Sequence, residues 1–329
     1  MRIKRFLSYL YYKIVSALMQ WKYYTGKAYD LDRQAAELIR NCHSIEKGLC
    51  IKEENIRLGF GHTKQLEMLD RMERLRNSKE TYHQEAVKMA LAVLHSYVRF
   101  HQFHNYTDEI ITKIDQHISQ HYEQISNWAN YGGILAYQAQ SIQFDDHMIE
   151  QLFFTRHSIR DFDDSAVDQE LIKKAVELAQ RCPSACNRQG VRVYNISNYD
   201  DNIMADWLSG IGGFAKQIPN YLLITGKISA YRVGEHSQFI VSASIFAAYL
   251  SLALHAVGLG CCVIQRKVEW NKPWESVKRH YSIPDDEQSI CVIGVGNLKN
   301  ITSVPISHRL PVEVIYRTIP DNRQKMRGE

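Results

Sequence analysis

The sequence predicts a mixed fold of helices and strands, α+β or α/β, that follows an all-helical region. Residues 1 to about 145 carry apolar side chains at three- and four-residue spacing, without proline and without strand-like alternation. From about residue 146, helical patterns are mixed with three short apolar runs that are typical of strands. A chain of 329 residues is also long for one compact core. We therefore expect two domains, residues 1–145 and residues 146–329.

The first element is a basic stretch at residues 1–27. Three polar residues interrupt its apolar part, so it is a poor candidate for a membrane span of about 20 apolar residues, and it lacks the small-residue cleavage site of a signal peptide. As a helix it places Phe6, Leu10, Ile14 and Leu18 on one side. Such a stripe usually faces a core, so we expect it to pack on its own chain. The alternative is peripheral contact with an anionic membrane surface.

Three further helices are predicted from the spacing in DLDRQAAELIRNCHSIEKGL, HTKQLEMLDRMERLRN and KETYHQEAVKMALAVLHSYVRFHQF. The HSIEKGL motif (43–49) could reach over a ligand pocket and shape substrate choice. We interpret it instead as a helix end with Gly48 in a left-handed turn. Histidine pairs in HQFH (101–104) and HISQH (117–121) would each share a helix face. A pair on one helix supplies too few ligands for a metal, so we predict ordinary core or surface histidines there.

The second half begins with two predicted helices, MIEQLFFTR (148–156) and VDQELIKKAVELAQRC (167–182), the latter capped by Asp168. We expect the apolar residues of the latter to face inward: Leu171, Ile172, Ala175, Leu178 and Ala179. Strands are predicted at 191–197, 220–226 and 289–297. A long apolar helix over about 236–257 is rich in Ala and Ser, which favours a central position or a subunit interface. Gly258 is its predicted C-terminal cap.

Composition excludes several classes of protein. The chain has 45% hydrophobic and 23% charged residues and a formal charge of only +4. The body of the chain lacks a stripe of basic residues, which argues against nucleic acid as a partner. Seven scattered cysteines fit reduced thiols better than a secreted disulfide framework, so we expect a cytoplasmic protein. The short glycine runs lack the spacing of a dinucleotide-binding fingerprint, and a P-loop is absent.

The cysteines of RCPSACNRQG (181–190) raise the question of a redox or metal site. Cys182 and Cys186 are four residues apart, so they do not form a C-x-x-C dithiol. Zinc would need a second ligand pair at suitable spacing, and the adjacent Cys261 and Cys262 rarely bind one ion. We expect these cysteines to be small buried side chains and predict no metal.

Three other segments could carry chemistry: RHSIRDF (156–162), PSACNRQ (183–189) and SHRLP (307–311). Arginine forks and a serine hydroxyl are good phosphate ligands. Each segment taken separately is an ordinary surface cluster.

In this order and spacing, however, they resemble the nitroreductase-like family of FMN enzymes. The family opens with R-R/H-S-x-R-x-F, here RHSIRDF, followed by P-S-x-x-N-x-Q-P-W, here PSACNRQG. It continues with G-L-G and a flavin-facing stretch, here GLGCCVIQR, then a strand ending in glycine, here CVIGVGN, and a late arginine, here Arg309. The resemblance covers residues 146–318. The chain departs from it at Gly190, Val191 and the Gln265–Arg266 pair, and in the added helical region.

The resemblance implies an α+β nitroreductase-like fold, with a central sheet flanked by helices and FMN at the interface of a homodimer. It implies that Arg160 faces the N1–C2=O edge of the flavin and that the backbone near Gln265 and Arg266 lies close to N5, so Arg160 and Gln265 are the expected catalytic residues. The implied cofactor-binding residues are Arg156, His157, Ser158, Arg160, Pro183, Ser184, Ala185, Asn187, Ile264, Gln265 and Arg309.

The implied activity is ping-pong hydride transfer from NADH or NADPH through FMN to a small nitro, quinone or biosynthetic acceptor. Two alternatives stay open. One is a specialised flavoenzyme of the same fold that dehalogenates, dehydrogenates or breaks down flavin. The other is a non-catalytic flavin-binding or scaffold protein.

Overall fold

A computed structural model describes residues 2–51, 57–120, 130–135, 144–198, 203–208, 211, 213–265 and 272–319. In these ranges the part before residue 145 is helical. Its helices are α1 (Arg2–Thr25), α2 (Asp30–Leu49), α3 (His62–Leu75), α4 (Thr81–Phe103) and α5 (Glu109–Gln120). The helices that follow are α6 (Asp146–Phe154), α7 (Gln169–Ala179), α8 (Ile203–Trp207), α9 (Gln238–Ala256), α10 (Lys272–His280) and α11 (Val312–Ile315).

The sheet has four strands in the order β1-β2-β4-β3, each antiparallel to its neighbours. The strands are β1 (Val191–Ser197), β2 (Asn220–Lys227), β3 (Leu259–Gln265) and β4 (Glu287–Asn297). Helix α9 packs against one face of the sheet, with α7 outside it, and α8 and α10 pack together in the core of the other face. The α+β class and the preceding helical region are thus confirmed.

Three strand predictions are confirmed, and one strand, β3, was not predicted. Helix α7 begins after Asp168, whose side chain accepts a hydrogen bond of 2.9 Å from the Glu170 backbone N–H, as expected of an N-cap. Gly258 follows α9 with a φ of +84°, as predicted. The inward position predicted for Leu178 is wrong: its side chain is 43% exposed because it lies on the solvent side of α7.

Helix α9 is central rather than membrane-spanning in this fold. Among the described helices it alone has the length and mean hydropathy, 1.8, to cross a membrane, and half of that window is buried inside the protein. It contacts all four strands. The apolar composition of α9 is therefore explained by its packing against the sheet in the core of the protein.

The helical region has its own core but also reaches the sheet domain. Apolar residues of α2, α3, α4 and α5 pack together. Tyr23, Tyr24 and Ala36 instead join the core that contains α7 and α9. Lys227 of β2 forms ion pairs with Asp32 of α2 at 3.2 Å and with Asp286 at 3.3 Å. The domain boundary at residue 145 stays a prediction, while these contacts hold the two parts together.

The interpretation of Gly48 as a left-handed helix terminus is wrong. Helix α2 continues to Leu49, and Gly48 has no positive φ. A Cβ atom at Gly48 would lie 2.4 Å from Cε2 of the Phe60 ring, and Phe60 in turn packs edge-on against Tyr97. Glycine is needed here for close packing within the helical region. The neighbouring Glu46 accepts a 3.1 Å hydrogen bond from the Gly133 N–H, so it too stabilises this region.

The prediction that α1 packs its apolar stripe on its own chain is also wrong. Phe6, Leu10, Ile14 and Leu18 are 62%, 42%, 50% and 63% exposed. The buried residues of α1 are Tyr23 and Tyr24, close to its C-terminal end. The side of the helix that meets the body is therefore not the side that the apolar spacing indicated.

Candidate functional site

The RHSIRDF segment lies beside the start of β3 and the end of β4. The Ile159 N–H donates to the Cys261 carbonyl at 2.9 Å, and the Asp163 N–H donates to the Asn297 carbonyl at 3.0 Å. Ile159 and Phe162 are buried, whereas Arg160 is exposed. The buried Ile159 and Phe162 thus anchor the segment, and the polar residues between them stay on the surface.

Two glycines in the strands explain how the segment can approach so closely. A Cβ atom at Gly296 of β4 would lie 2.5 Å from Cδ1 of Phe162, and one at Gly260 of β3 would lie 3.2 Å from Cβ of Ile159. Contacts below 3.0 Å do not occur for real Cβ atoms. The glycines of GLGCCVIQR and CVIGVGN therefore make room for the two buried anchors of RHSIRDF.

Within the described ranges, the arginines predicted to bind the cofactor have no acidic partners. None of Arg156, Arg160 and Arg309 lies within 4.0 Å of a carboxylate oxygen in the described part of the chain. The Arg160 guanidinium donates to the Ser158 carbonyl at 3.3 Å and lies 5.8 Å from the centre of the Phe214 ring. Arg309 donates to the Ser307 carbonyl. These groups remain available to an anion.

Two imidazole side chains lie near Arg156. Thr155 Oγ1 and His255 Nε2 are 2.8 Å apart, and His157 and His255 line one small cavity of about 140 Å³. Burial, helped by the charges of Arg156 and His157, lowers the pKa of His255. The Arg156 guanidinium can therefore attract an anion to this part of the surface.

The loop that follows α7 is held in an unusual conformation. Cys186, Asn187 and Gln189 have φ angles of +51°, +54° and +51°. The left-handed region is uncommon for residues other than glycine, and such strain clusters at functional sites. Ser184 stabilises the turn, because its Oγ accepts from the Gln189 N–H at 3.2 Å and its carbonyl accepts from the Asn187 N–H at 3.0 Å.

Arg188 fixes this loop, a role that the sequence did not predict. Its side chain is fully buried and donates to both carboxylate oxygens of Glu235 at 2.7 and 2.6 Å. It also donates to the Ala230 carbonyl at 3.1 Å and lies over the Tyr231 ring. A bidentate, charge-assisted pair of this kind is geometrically specific. It leaves Pro183 and Asn187 exposed and Ser184 and Ala185 half-buried.

The cysteines behave as small side chains, as predicted for Cys261 and Cys262, which are both 3% exposed. All seven cysteines are free. Burial raises the pKa of Cys182 and raises that of Cys261 to about 12, so both are thiols at neutral pH. Cys182 and Cys186 are only partly buried. No group of three or more metal-ligating side chains occurs in the described ranges.

The histidine prediction is confirmed for His101. Its Nε2 accepts from the Gly59 N–H at 3.0 Å, and its Nδ1 donates to the Tyr97 carbonyl at 2.8 Å. Both ring nitrogens are thus used in packing the helical region. His121 lies outside the described residues.

The predicted site residues fall into separate groups at opposite edges of the sheet. The 183–190 loop leads into β1, which is one outer strand, whereas RHSIRDF lies beside β3, the other outer strand. Three strand spacings amount to about 14 Å. Gln265 ends β3 and is exposed, Ile264 beside it is buried, and Arg266 lies outside the described residues. One chain alone does not bring these groups together.

Comparison with known proteins finds a match for the segment that contains both RHSIRDF and PSACNRQ. The model of the nitroreductase family matches residues 154–210. Residues 154–210 are therefore similar to the nitroreductase family. This confirms the resemblance seen in RHSIRDF and PSACNRQ. No curated protein matches the chain.

Solved structures similar to this chain include an FMN-dependent nitroreductase from Clostridium difficile R20291, with 21% identity, 51% of this chain and 98% of that chain covered, and a TM-score of 0.44. A nitroreductase family protein from Streptococcus pneumoniae TIGR4 has 19% identity, covering 52% and 100%, with a TM-score of 0.43. NfrA1 from B. megaterium has 18% identity, covering 55% and 78%, with a TM-score of 0.45. Sequence identities and TM-scores this low say nothing about the activity of this chain.

A cavity of about 460 Å³ lies between the matched segment and the helical region. Loop residues Ser184 and Gln189 line one side, and Ile39 of α2 and Tyr82 and Met89 of α4 line the other. The lining is mainly apolar and includes one carboxylate, Glu85, and one cation, Arg192. The Arg192 guanidinium stacks on Tyr82 at 5.1 Å. The residues of the helical region that reach the loop therefore come from α2 and α4, while HSIEKGL is not among the residues lining this cavity.

Proposed function

We propose that the protein is an FMN-dependent oxidoreductase that transfers hydride from NADH or NADPH to a small organic acceptor in a ping-pong reaction. The observation that carries this proposal is the family match over residues 154–210, which includes both RHSIRDF and PSACNRQ. The arginines without acidic partners support it, because a flavin mononucleotide presents a phosphate dianion.

The residues present fit FMN. Arg156 and Arg309 can each offer a guanidinium fork, and Ser158 offers a hydroxyl, which together suit the phosphate and ribityl chain. His157 adds a donor beside Arg156. Arg160 is exposed and has no carboxylate partner among the described residues, so it would supply a cation for the N1–C2=O edge.

When bound, FMN supplies reversible two-electron hydride chemistry. The chain's contribution is orientation and charge. Arg160 holds a positive charge where negative charge collects on reduction, and a preorganised charge of this kind needs no reorganisation during the reaction. The backbone at Ile264 and Gln265 would face N5, where hydride is exchanged.

The site is proposed to form between two copies of the chain. Arg156, Arg160 and Gln265 lie at the β3 edge, whereas Ser184, Ala185 and Asn187 lie at the β1 edge, about 14 Å away by strand spacing. A twofold dimer places the β1 edge of one protomer near the β3 edge of its partner. The 183–190 loop would then contact the partner's flavin.

Mixed dimers test this arrangement. We expect Arg156→Ala and Asn187→Ala homodimers each to lose most NADH oxidation. A heterodimer of the two, purified through two different affinity tags, should regain about half of wild-type activity, because one of its two sites contains both intact segments. A heterodimer no more active than its parents, with both parents folded and dimeric, would show that each site belongs to one chain.

The cavity between α4 and the 183–190 loop is the proposed acceptor pocket. Its walls from α2 and α4 favour the alternative of a specialised acceptor over a generic nitroaromatic one, since these helices precede the matched segment. Its apolar lining suits an apolar ring, with Arg192 and Glu85 as a cation and a carboxylate that polar substituents can pair with.

Narrowing this cavity should affect the acceptor alone. We expect Met89→Trp to raise the acceptor KM about tenfold, the scale of one lost apolar contact, with flavin content and the rate of flavin reduction by NADH unchanged. Phe103→Trp is the control, since Phe103 is 79% exposed at the end of the same helix. Steady-state and anaerobic stopped-flow kinetics separate the two steps, and an unchanged KM for every acceptor would remove the assignment.

A further inference from the structure

Helix α1 turns its apolar face to solvent. At 100° per residue, six large apolar side chains form one continuous face, here named the outer face: Phe6, Leu7, Leu10, Ile14, Leu18 and Trp21. These side chains are between 42% and 63% exposed. An apolar patch of this size on a protein surface usually marks an interaction site.

The orientation of the helix is fixed by contacts on its other side. Val15, Ser16, Met19 and Gln20 are half-buried, and the Gln20 amide donates to Ser16 Oγ at 2.9 Å. Tyr23 and Tyr24 are buried in the core shared with α9, and Arg33 of α2 donates to the Gly26 carbonyl at 2.6 Å. The more polar side of α1 therefore contacts the rest of the protein, and the outer face is turned to solvent.

Charge is the second observation. Residues 1–27 contain six basic residues and no acidic one, which leaves 34 basic and 36 acidic residues for the rest of the chain. Lys13 and Lys22 flank the outer face, and each amino group lies over a tyrosine ring, at 5.6 and 5.1 Å. The cationic excess of the whole protein is therefore concentrated on α1.

We propose that the outer face of α1 binds an anionic phospholipid surface and lies in the plane of the bilayer interface. A basic amphipathic helix with aromatic residues has the properties that this binding mode needs. Exposed Trp21 and Tyr11 suit the headgroup level, where one end of the ring is apolar and the other is wet. Lys13 within the helix opposes a spanning orientation.

A second copy of the chain is a poorer occupant of this face. Two outer faces packed together would bring Lys13 and Lys22 of one copy close to those of the other, and residues 1–27 contain no acidic residue to neutralise them. An anionic lipid surface offers the complementary charge.

Flotation of the full-length, flavin-loaded protein with vesicles tests the proposal. The vesicles are phosphatidylcholine alone or phosphatidylcholine with about a third phosphatidylglycerol, at low and high salt. We expect at least fivefold more protein to float with the anionic vesicles at low salt, and most of the excess to disappear at high salt. The double variant Leu10→Glu/Leu18→Glu should lose about tenfold in binding. The same substitution in an exposed leucine of α7, Leu178→Glu, should leave binding unchanged.

Three outcomes would overturn the proposal: no flotation of the wild-type protein, equal flotation with neutral and anionic vesicles, or undiminished flotation of the double variant. Sedimentation analysis addresses the rival occupant. If Leu10→Glu/Leu18→Glu changes the oligomeric state, the outer face joins copies of the chain. Circular dichroism and flavin content confirm that each variant is folded, and Leu10 and Leu18 are exposed enough for that to be expected.

Discussion

Arg156→Ala is expected to weaken FMN binding about ten- to hundredfold. A hydrogen bond to a charged group contributes roughly 1.5–3 kcal/mol, and each 1.4 kcal/mol is tenfold in affinity. The effect should approach the upper value because no carboxylate within 4.0 Å in the described part of the chain now competes for Arg156. Arg309→Ala should act in the same direction. Titration of the apoprotein with FMN, followed by quenching of flavin fluorescence, measures both.

The conservative variant and a remote control make this result specific. Arg156→Lys keeps the charge but loses the guanidinium fork, so its loss should be intermediate. Arg74→Ala removes an exposed arginine that pairs with Asp70 at 2.9 Å on α3, and it should bind FMN as wild type does. Unchanged affinity for both Arg156→Ala and Arg309→Ala would remove these residues from the phosphate site.

Lys227→Met should have the largest effect on stability, a loss of about 3–5 kcal/mol, the usual cost of removing one partner from a buried ion pair. Lys227 is 9% exposed and is the cation between Asp32 of the helical region and Asp286, whose side chain is 1% exposed. Without it, Asp286 is left as a buried carboxylate whose one side-chain donor among the described residues is the Ser229 hydroxyl. Denaturant unfolding measures the loss.

The matched control is Lys174→Met, which breaks an exposed pair with Glu177 on α7. It should change stability by no more than about 0.5 kcal/mol. If the two lysine variants are equally stable, the network does not connect the helical region to the sheet energetically.

The same network predicts a pH dependence. Burial disfavours the charged form of Asp32, but the hydrogen bond to His83 and the charge of Lys227 outweigh burial and hold the pKa of Asp32 below its usual value. A carboxyl group with a depressed folded pKa contributes stability above its unfolded pKa of about 3.9, and this contribution is lost as the pH falls through the folded pKa. The stability difference between wild type and Lys227→Met should therefore narrow below about pH 4.

Local sequence patterns predicted much of the fold because they depend on neighbours along the chain. The strand at 191–197 alternates and is bounded by turn residues, and Asp168 precedes an apolar helical pattern. β3 was missed because it follows α9 with only Val257 and Gly258 between. The sequence there, GLGCCVIQR, was matched only to the flavin-facing stretch of the family, and no strand was predicted in it.

The features that sequence reasoning missed depend on residues distant in the chain. Arg188 looked like an ordinary loop residue because its partner Glu235 lies 47 positions away. Gly48 read as a helix terminus because the Phe60 ring that excludes a side chain there belongs to another segment. In α1 the spacing identified an apolar face, but spacing carries no information about whether that face turns towards the body or the solvent.

The sequence allowed the segments of the candidate site to be predicted, but not their positions relative to one another in the fold. RHSIRDF and PSACNRQ are recognisable in the sequence, whereas their positions at opposite edges of the sheet follow from the strand order β1-β2-β4-β3. The left-handed backbone of Cys186, Asn187 and Gln189 could likewise not be predicted, because Cys and Gln rarely adopt this conformation.

The central claim is that this chain binds and uses FMN, and the flavin content of the purified protein tests it most directly. The account predicts a yellow protein with one FMN per protomer, whose absorbance near 450 nm is lost on anaerobic addition of NADH or NADPH and returns with an acceptor. A colourless protein that does not take up added FMN would contradict it.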